Sequence, residues 1–283
     1  MRAKKSLGQH FLSDRRVVER IIEAVSPQGG DAIIEIGPGT GVLTRPLAER
    51  AGYVCAIEAD SRLVAELNRD NSLPNLAILS GDALSIDWAK LIDSCIQGWK
   101  THASQPDGLP RVRIVANLPY YISTPILQLL IGQRERIFDI TVMLQDEVVD
   151  RIASAPGTKD YGYLSVLVQF YCEVQKLFEV PPSAFRPAPE VRSAVVRLST
   201  RQHPVVAVDN EERYLGVVRA AFAQRRKTIL NNLKAAVSVL RATGPIEDAI
   251  KRAGIDTRRR AETLSIQDFA SLYYALYCCG QCD

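Results

Sequence analysis

Apolar residues along this chain come in short runs, and each run stops at a small or polar cluster. Residues 31–36, Asp-Ala-Ile-Ile-Glu-Ile, end at Gly37-Pro38-Gly39-Thr40-Gly41. Tyr53–Ile57 ends at Glu58, Leu76–Leu79 at Gly81-Asp82, and Arg113–Ala116 at Asn117-Leu118-Pro119-Tyr120, while Asp139–Leu144 forms a fifth run. Runs this short, bounded by turn residues, predict strands. Between them the spacing turns helical: Val42, Leu43, Leu47 and Ala48, then Ser61–Arg69, then the stretch near Ile86–Ile96. Strands alternating with helices predict βαβ units, so the expected fold is α/β, a mostly parallel sheet with helices on both faces. Open sheets of this kind bind ligands at the carboxyl edge of the strands, where the polar clusters fall.

Two more strands are expected at Val174–Val180 and Val191–Leu198, separated by the proline-rich Pro181–Pro189. After about Pro204 the pattern becomes helical, at Glu212–Phe222, Lys227–Leu240, Pro245–Ala253 and Ile266–Leu276. Pro245 fits a first helical position, where a missing N–H costs nothing, and Ser265 fits an N-cap. The expected organisation is therefore a catalytic domain over residues 1–203 and a smaller, all-helical domain over residues 204–283.

Composition adds a charge asymmetry. The net charge is +3, but Val195–Arg260 holds 14 Lys and Arg against 6 Asp and Glu, leaving the remainder acidic. A basic segment of this kind suits a polyanion, or is simply a solvated helix surface. Hydrophobic residues at 47% and charged residues at 24% are ordinary for a globular protein. Apolar runs fall short of the ~18 residues a membrane helix needs. No apolar segment follows the basic Met1–Lys5, so a cytoplasmic protein with reduced thiols is expected and no membrane partner. The tail Cys278-Cys279-Gly280-Gln281-Cys282 offers three thiols and no histidine, which falls short of a closed zinc site; no metal is expected.

The glycine turn narrows the ligand. A dinucleotide fold shows Gly-x-Gly-x-x-Gly against a pyrophosphate; here the spacing is Gly-x-Gly-x-Gly, which suits a ligand lacking a diphosphate. Glu58, ending the second strand, could accept both ribose hydroxyls of an adenosyl group, or could cap the next helix from the surface. Asp82 could accept from an adenine amine with Ala83 as wall, or could be a helix N-cap. Together the three clusters resemble the class I S-adenosylmethionine methyltransferases, whose Rossmann-like fold places the methionine part at Gly37 and Gly39, the ribose at Glu58 and the adenine at Asp82.

Asn117-Leu118-Pro119-Tyr120 would then face the methyl donor. An exocyclic adenine amine is a poor nucleophile, because its lone pair is delocalised into the ring. The Asn117 side-chain oxygen and the Leu118 carbonyl could hold its hydrogens, with Pro119 restricting Leu118 so that the carbonyl stays aimed. Tyr120 could stack on a base lifted from its helix, or be a core tyrosine. Phe185, in the proline-rich loop, could cover the other face of that base, or pack in the core.

At this point the resemblance is to the ribosomal RNA adenine dimethyltransferase family, and within it to the bacterial small-subunit branch. It rests on Lys5-Ser6-Leu7-Gly8-Gln9-His10-Phe11-Leu12, the glycine turn, Asn117-Leu118-Pro119-Tyr120-Tyr121-Ile122-Ser123, Gly157-Thr158-Lys159-Asp160-Tyr161-Gly162 and Ala221-Phe222-Ala223-Gln224-Arg225-Arg226-Lys227-Thr228. The resemblance implies S-adenosylmethionine as cofactor, contacted also by His10, Leu12 and Asn117. It implies dimethylation of N6 on two adjacent adenosines in the 3′-terminal hairpin of 16S rRNA, within the immature 30S subunit and late in its assembly. His10 stands where many relatives of that family carry Asn. Arg225, Arg226, Lys227, Arg258, Arg259 and Arg260 would meet RNA phosphates, and a monomer is expected. Three other readings remain: a dimethylase of one large-subunit adenine, a binding protein that kept the fold, and, last, a nicotinamide enzyme.

Overall fold

The structure is a computed structural model and describes residues 9–102 and 108–277. The chain divides into two compact units, Met1–Val149 with Glu173–Thr200, and Asp150–Cys172 with Arg201–Asp283.

Among the described residues the first unit carries nine strands: β1 (Phe11–Leu12), β2 (Asp31–Ile36), β3 (Tyr53–Glu58), β4 (Leu76–Ser80), β5 (Arg111–Asn117), β6 (Asp139–Gln145), β7 (Cys172–Val180, entering from the second unit), β8 (Phe185–Arg186) and β9 (Ser193–Thr200). Seven form one sheet in the order β4-β3-β2-β5-β6-β9-β7. β2 pairs parallel with β3 on one side and β5 on the other; β4 and β6 extend the parallel set, and β9 joins antiparallel to β6. Strand order thus reverses at β2, and a crevice opens outside its carboxyl end, the switch point where such sheets take ligands.

All six residues of β2 are buried, which explains its nearly unbroken apolar run. Asp31, at its start, is neutralised by Arg113 at 3.2 Å and Arg111 at 2.8 Å, and Arg113 also grips Asp139 at 2.7 Å. Five helices flank the sheet wholly within this unit: α1 (Arg15–Val25), α2 (Thr44–Ala48), α3 (Ser61–Arg69), α4 (Trp88–His102) and α5 (Ser123–Gly132). Asp14 caps α1 by accepting from the Arg16 and Val17 N–H groups, and the helix buries Val17, Ile21, Ile22 and Val25 on one stripe. The two-residue ribbon β1–β8 pairs Leu12 with Phe185, and Ser13 and Asp14 both donate to the Ala184 carbonyl, at 2.8 and 3.2 Å. That pairing holds residues 9–12 at the sheet edge.

The remaining helices belong mainly to the second unit: α6 (Asp146–Ala153), α7 (Tyr163–Tyr171), α8 (Glu211–Ala221), α9 (Ile229–Ala235), α10 (Val237–Leu240), α11 (Ile246–Arg252) and α12 (Ile266–Tyr277). The pattern predicted one helix over 227–240; the chain instead breaks at Ala236 into α9 and α10. Asp150–Cys172 joins the C-terminal helices because its side chains find partners there. Phe170 stacks on Tyr214 with ring centroids 4.6 Å apart, and the Tyr171 hydroxyl donates to Glu211 at 2.8 Å. Ser265 caps α12 as the sequence suggests, in a reciprocal pair of 3.0 Å hydrogen bonds with Asp268.

Candidate active site

The carboxyl ends of β2, β3, β4 and β5, with residues 9–12, enclose a cavity of about 200 Å³. Gly37, Gly39 and Gly41 take φ of +68°, +58° and +80°, the left-handed region in which a side chain is strained. A Cβ on Gly39 would lie 3.2 Å from the Phe11 ring, and one on Gly41 only 2.7 Å from Leu67 Cδ2. The turn therefore needs glycine for both conformation and space.

Glu58, 6% exposed, sits at the wall with both carboxylate oxygens engaged: Oε1 accepts from Asp60 N–H at 2.9 Å and Oε2 from Gly39 N–H at 3.1 Å. It does not cap α3. Asp60 does that, accepting from Arg62 N–H at 3.1 Å. Asp82 lines the cavity from an exposed turn; its Oδ1 accepts from Leu84 N–H at 2.9 Å, leaving Oδ2 available to a ligand. Ala83, 6% exposed, forms the adjoining wall.

Asn117 ends β5, and its Nδ2 donates to the His10 carbonyl at 3.4 Å, which leaves Oδ1 as the free acceptor. Leu118 is 1% exposed and donates its N–H to Met143 O at 3.2 Å, so its backbone carbonyl, not its side chain, is what it can offer a substrate. Pro119 holds φ −57° and ψ 134°. The Tyr120 hydroxyl meets Ser193 Oγ at 2.9 Å, and its ring lies 6.0 Å from the His10 ring at 24°. Burial pushes the Tyr120 phenol above its ordinary value, so it stays protonated at neutral pH. His10 is itself fixed, Nδ1 donating to the Pro187 carbonyl at 2.8 Å. Leu12, 3% exposed, completes that wall.

Phe185 is the exception. Its ring is 3% exposed and packs in the core with Leu12, Val17 and Ala184, and it is not among the residues that line the cavity. Pairing of β8 with β1 sets it opposite Leu12, which matches the core-packing alternative.

Sequence reasoning missed Glu35. This β2 residue lines the cavity at 2% exposure, and its Oε2 is buried without a hydrogen-bond partner among the described residues. Burial pushes its carboxyl up to about 7, with the Thr44 hydroxyl opposing the shift and the Glu58 charge adding to it. An unpartnered carboxyl oxygen at a cavity wall calls for a donor or cation from a ligand.

The expected RNA-contacting residues, all in the second unit, split in two. Arg258 pairs with Asp256 at 2.9 Å on the exposed surface, and this bonding lowers the Asp256 carboxyl to about 2. Arg259 donates to Thr263 and lies 3.6 Å from Asp268, and Arg225 lies 3.3 Å from Glu262. Arg226, Lys227 and Arg260 are exposed, and their side chains make no ion pair among the described residues. Lys5–Gly8 and the cysteines at 278, 279 and 282 lie outside the described residues. Among the described residues no helix is long and apolar enough to cross a membrane, and no cluster of three metal-ligating side chains occurs.

A reversed-order parallel sheet, a glycine turn at its switch point and acids ending the next two strands define an S-adenosylmethionine-dependent methyltransferase. The sequence model described as "Ribosomal RNA adenine dimethylase" matches residues 1–276, and the chain belongs to that family. It is 46% identical to ribosomal RNA small subunit methyltransferase A of Moorella thermoacetica, over 95% of this chain and 91% of that one. With the protein of the same name from Staphylococcus epidermidis the identity is 45%, over 95% and 88%. Among solved structures, a dimethyladenosine transferase from Plasmodium falciparum superposes with a TM-score of 0.74 at 25% identity, covering 93% of this chain and 96% of that chain. The 23S rRNA methyltransferase ErmE gives 0.67 at 26%, covering 94% and 99%.

Proposed function

We propose that this enzyme dimethylates N6 of two adjacent adenosines in the 3′-terminal hairpin of 16S rRNA, on the immature 30S subunit late in its assembly, as a cytoplasmic monomer. The observation that carries the chemistry is Asn117, its amide nitrogen tied to His10 so that its oxygen is left to grip an amine.

The residues fit the cofactor. Glu58, oriented by two backbone N–H groups, accepts from ribose hydroxyls, and Asp82 Oδ2 accepts from the adenine amine beside Ala83. The backbone at Gly37 and Gly39 would hold the methionine part, with His10 and Leu12 as the wall beside it. The unpartnered Glu35 carboxyl oxygen suits the cofactor's ammonium. When bound, S-adenosylmethionine supplies an electrophilic methyl group on a cationic sulfur.

Everything else is positioning. Asn117 Oδ1 and the Leu118 carbonyl accept the N6 hydrogens, which pulls the amine lone pair out of conjugation with the purine. Pro119 keeps the carbonyl aimed. The Tyr120 ring, anchored through Ser193, stacks on the flipped base. As a protonated phenol it acts by its face rather than as a base. None is required, because the amine becomes acidic once methylated and its proton passes to solvent.

In the second unit, Arg226, Lys227 and Arg260 meet phosphates with their charge unspent, and Arg225, Arg258 and Arg259 do so only by leaving their present partners. The test is incubation with labelled S-adenosylmethionine and immature small subunits, followed by nucleoside analysis and primer extension on both rRNAs. N6,N6-dimethyladenosine at two adjacent 16S positions is expected. Label in large-subunit rRNA instead would overturn the proposal.

A further inference from the structure

We propose that Tyr121 is the stacking platform for the base of the adenosine next to the one being methylated. Tyr121 stands on a single 3₁₀ turn, Tyr120–Ile122, between β5 and α5. Ile122 N–H and Ser123 Oγ both donate to the Pro119 carbonyl at 3.2 Å, so the turn is pinned. With three residues per turn, successive side chains diverge by about 120°. Tyr120 accordingly points inward to Ser193, and Tyr121 points outward.

The outward ring is 61% exposed and borders the cavity. Of the large apolar side chains exposed among the described residues, it and Leu84, 38% exposed, are the two at that rim. Tyr121 has no hydrogen bond or ring contact among the described residues. An exposed aromatic face at the mouth of a base-sized cavity is available to stack on a base.

The occupant follows from the substrate, and in this the inference rests on the function proposed above. Two adjacent adenosines are joined by one phosphodiester, about 3.4 Å apart along the strand when stacked. When one base enters the cavity, its neighbour loses a stacking partner and must rest just outside the mouth. A purine face exposed at that distance meets the Tyr121 ring. Tyr121 is thus a positioning residue, which replaces the stack that flipping destroys and presents the second adenosine for its own turn in the cavity.

A double-mutant cycle tests this. One axis is Tyr121→Ala, with Tyr121→Phe as the conservative variant. The other replaces the neighbouring adenosine in reconstituted small subunits by an abasic nucleotide. The stack predicts that Tyr121→Ala raises KM for the particle about tenfold, within the range a base–aromatic stack supplies, with kcat for the first transfer and cofactor affinity by calorimetry unchanged. Tyr121→Phe should stay within twofold of wild type, and the abasic change should cost wild type as much as the alanine does. On the abasic particle, Tyr121→Ala should add nothing further. Penalties that add independently would overturn the inference and leave Tyr121 touching something else, such as a ribosomal protein. An unchanged KM in Tyr121→Ala would overturn it as well. Wild type that forms no dimethyladenosine at all would instead sink the underlying function.

Discussion

The cavity of the first unit and the basic segment of the second both offer charged and polar groups, but they hold them differently. Around the cavity, protein hydrogen bonds orient most of the polar groups, and at Asn117 and Asp82 they leave an acceptor over. Asn117 gives its nitrogen to His10 and keeps its oxygen, Asp82 gives one oxygen to Leu84, and Tyr120 is anchored through its hydroxyl. In the basic segment, half of the expected cations already pair with acidic neighbours at the surface, Arg258 with Asp256 through the most hydrogen bonds. Preorganised dipoles support chemistry because they need not rearrange during it; exposed charges support affinity, and only to the extent that they are unspent.

The contrast is broken most severely at Asn117. Asn117→Ala deletes the free acceptor together with the bond to the His10 carbonyl, so cofactor Kd is measured alongside and the transfer is read only at saturation. Single-turnover methyl transfer at saturating cofactor should fall by about 10²–10³, the usual cost of removing one preorganised hydrogen-bonding group, while RNA affinity holds. A loss below tenfold would mean that the Leu118 carbonyl alone suffices.

Glu35 comes next, since it is the cavity group that the protein leaves unsatisfied. Its folded-state carboxyl at about 7 stands above the ordinary 4.5, so the native state binds the extra proton. The stability it contributes is full below about pH 4.5 and is lost as pH rises through 7, about 3 kcal/mol in all. Urea unfolding of the cofactor-free protein at pH 5 and pH 8 should show Glu35→Gln gaining most of that difference over wild type at the higher pH. A pH-independent gap between the two proteins would show that Glu35 is not buried in the way described.

Much of this division was legible in the sequence, for identifiable reasons. Fully buried parallel strands write themselves as unbroken apolar runs, so β2, β3 and β5 and the polar residues ending them stood out. Glu35 did not, because an acid inside a strand run looks the same whether it faces a cavity or a salt bridge; Asp31 in that same run is the second case. The burial of Phe185 was not legible, because it depends on pairing with Leu12, far away in sequence. Helix α1 did leave a signal, Asp14 followed by Val17, Ile21, Ile22 and Val25. Asp150–Cys172 left none, since aromatic partners such as Tyr214 lie beyond local spacing. Internal neutralisation of Arg258 was visible in principle, with Asp256 two residues before it.

Glu58 offers a milder break within the cavity. Glu58→Gln keeps the shape but can no longer accept at both oxygens from Gly39 and Asp60 N–H groups while presenting a charge to the ribose. Hydrogen bonds to a charged acceptor are worth about 1.5–3 kcal/mol each, so cofactor Kd by calorimetry should rise at least about tenfold. Asp82→Asn, at an exposed turn with one oxygen already engaged, should cost less than Glu58→Gln. The reverse order would mean that the adenine end, rather than the ribose, dominates binding.

The gentlest test falls on the basic segment and discriminates within it. Each phosphate-facing cation that is removed should lower the slope of log affinity against log salt by about 0.7–0.9. Arg226→Ala, Lys227→Ala and Arg260→Ala, one at a time, should each show that change in binding to small subunits across a salt series. Arg258→Ala should leave the slope nearly unaltered, because its guanidinium already spends its charge on Asp256 and the variant frees a carboxylate along with the lost cation. If Arg258→Ala flattened the slope as much as Arg226→Ala did, the Asp256 pairing would have to dissolve on the RNA, and the segment would be rearranging its charges on contact rather than presenting them ready-made.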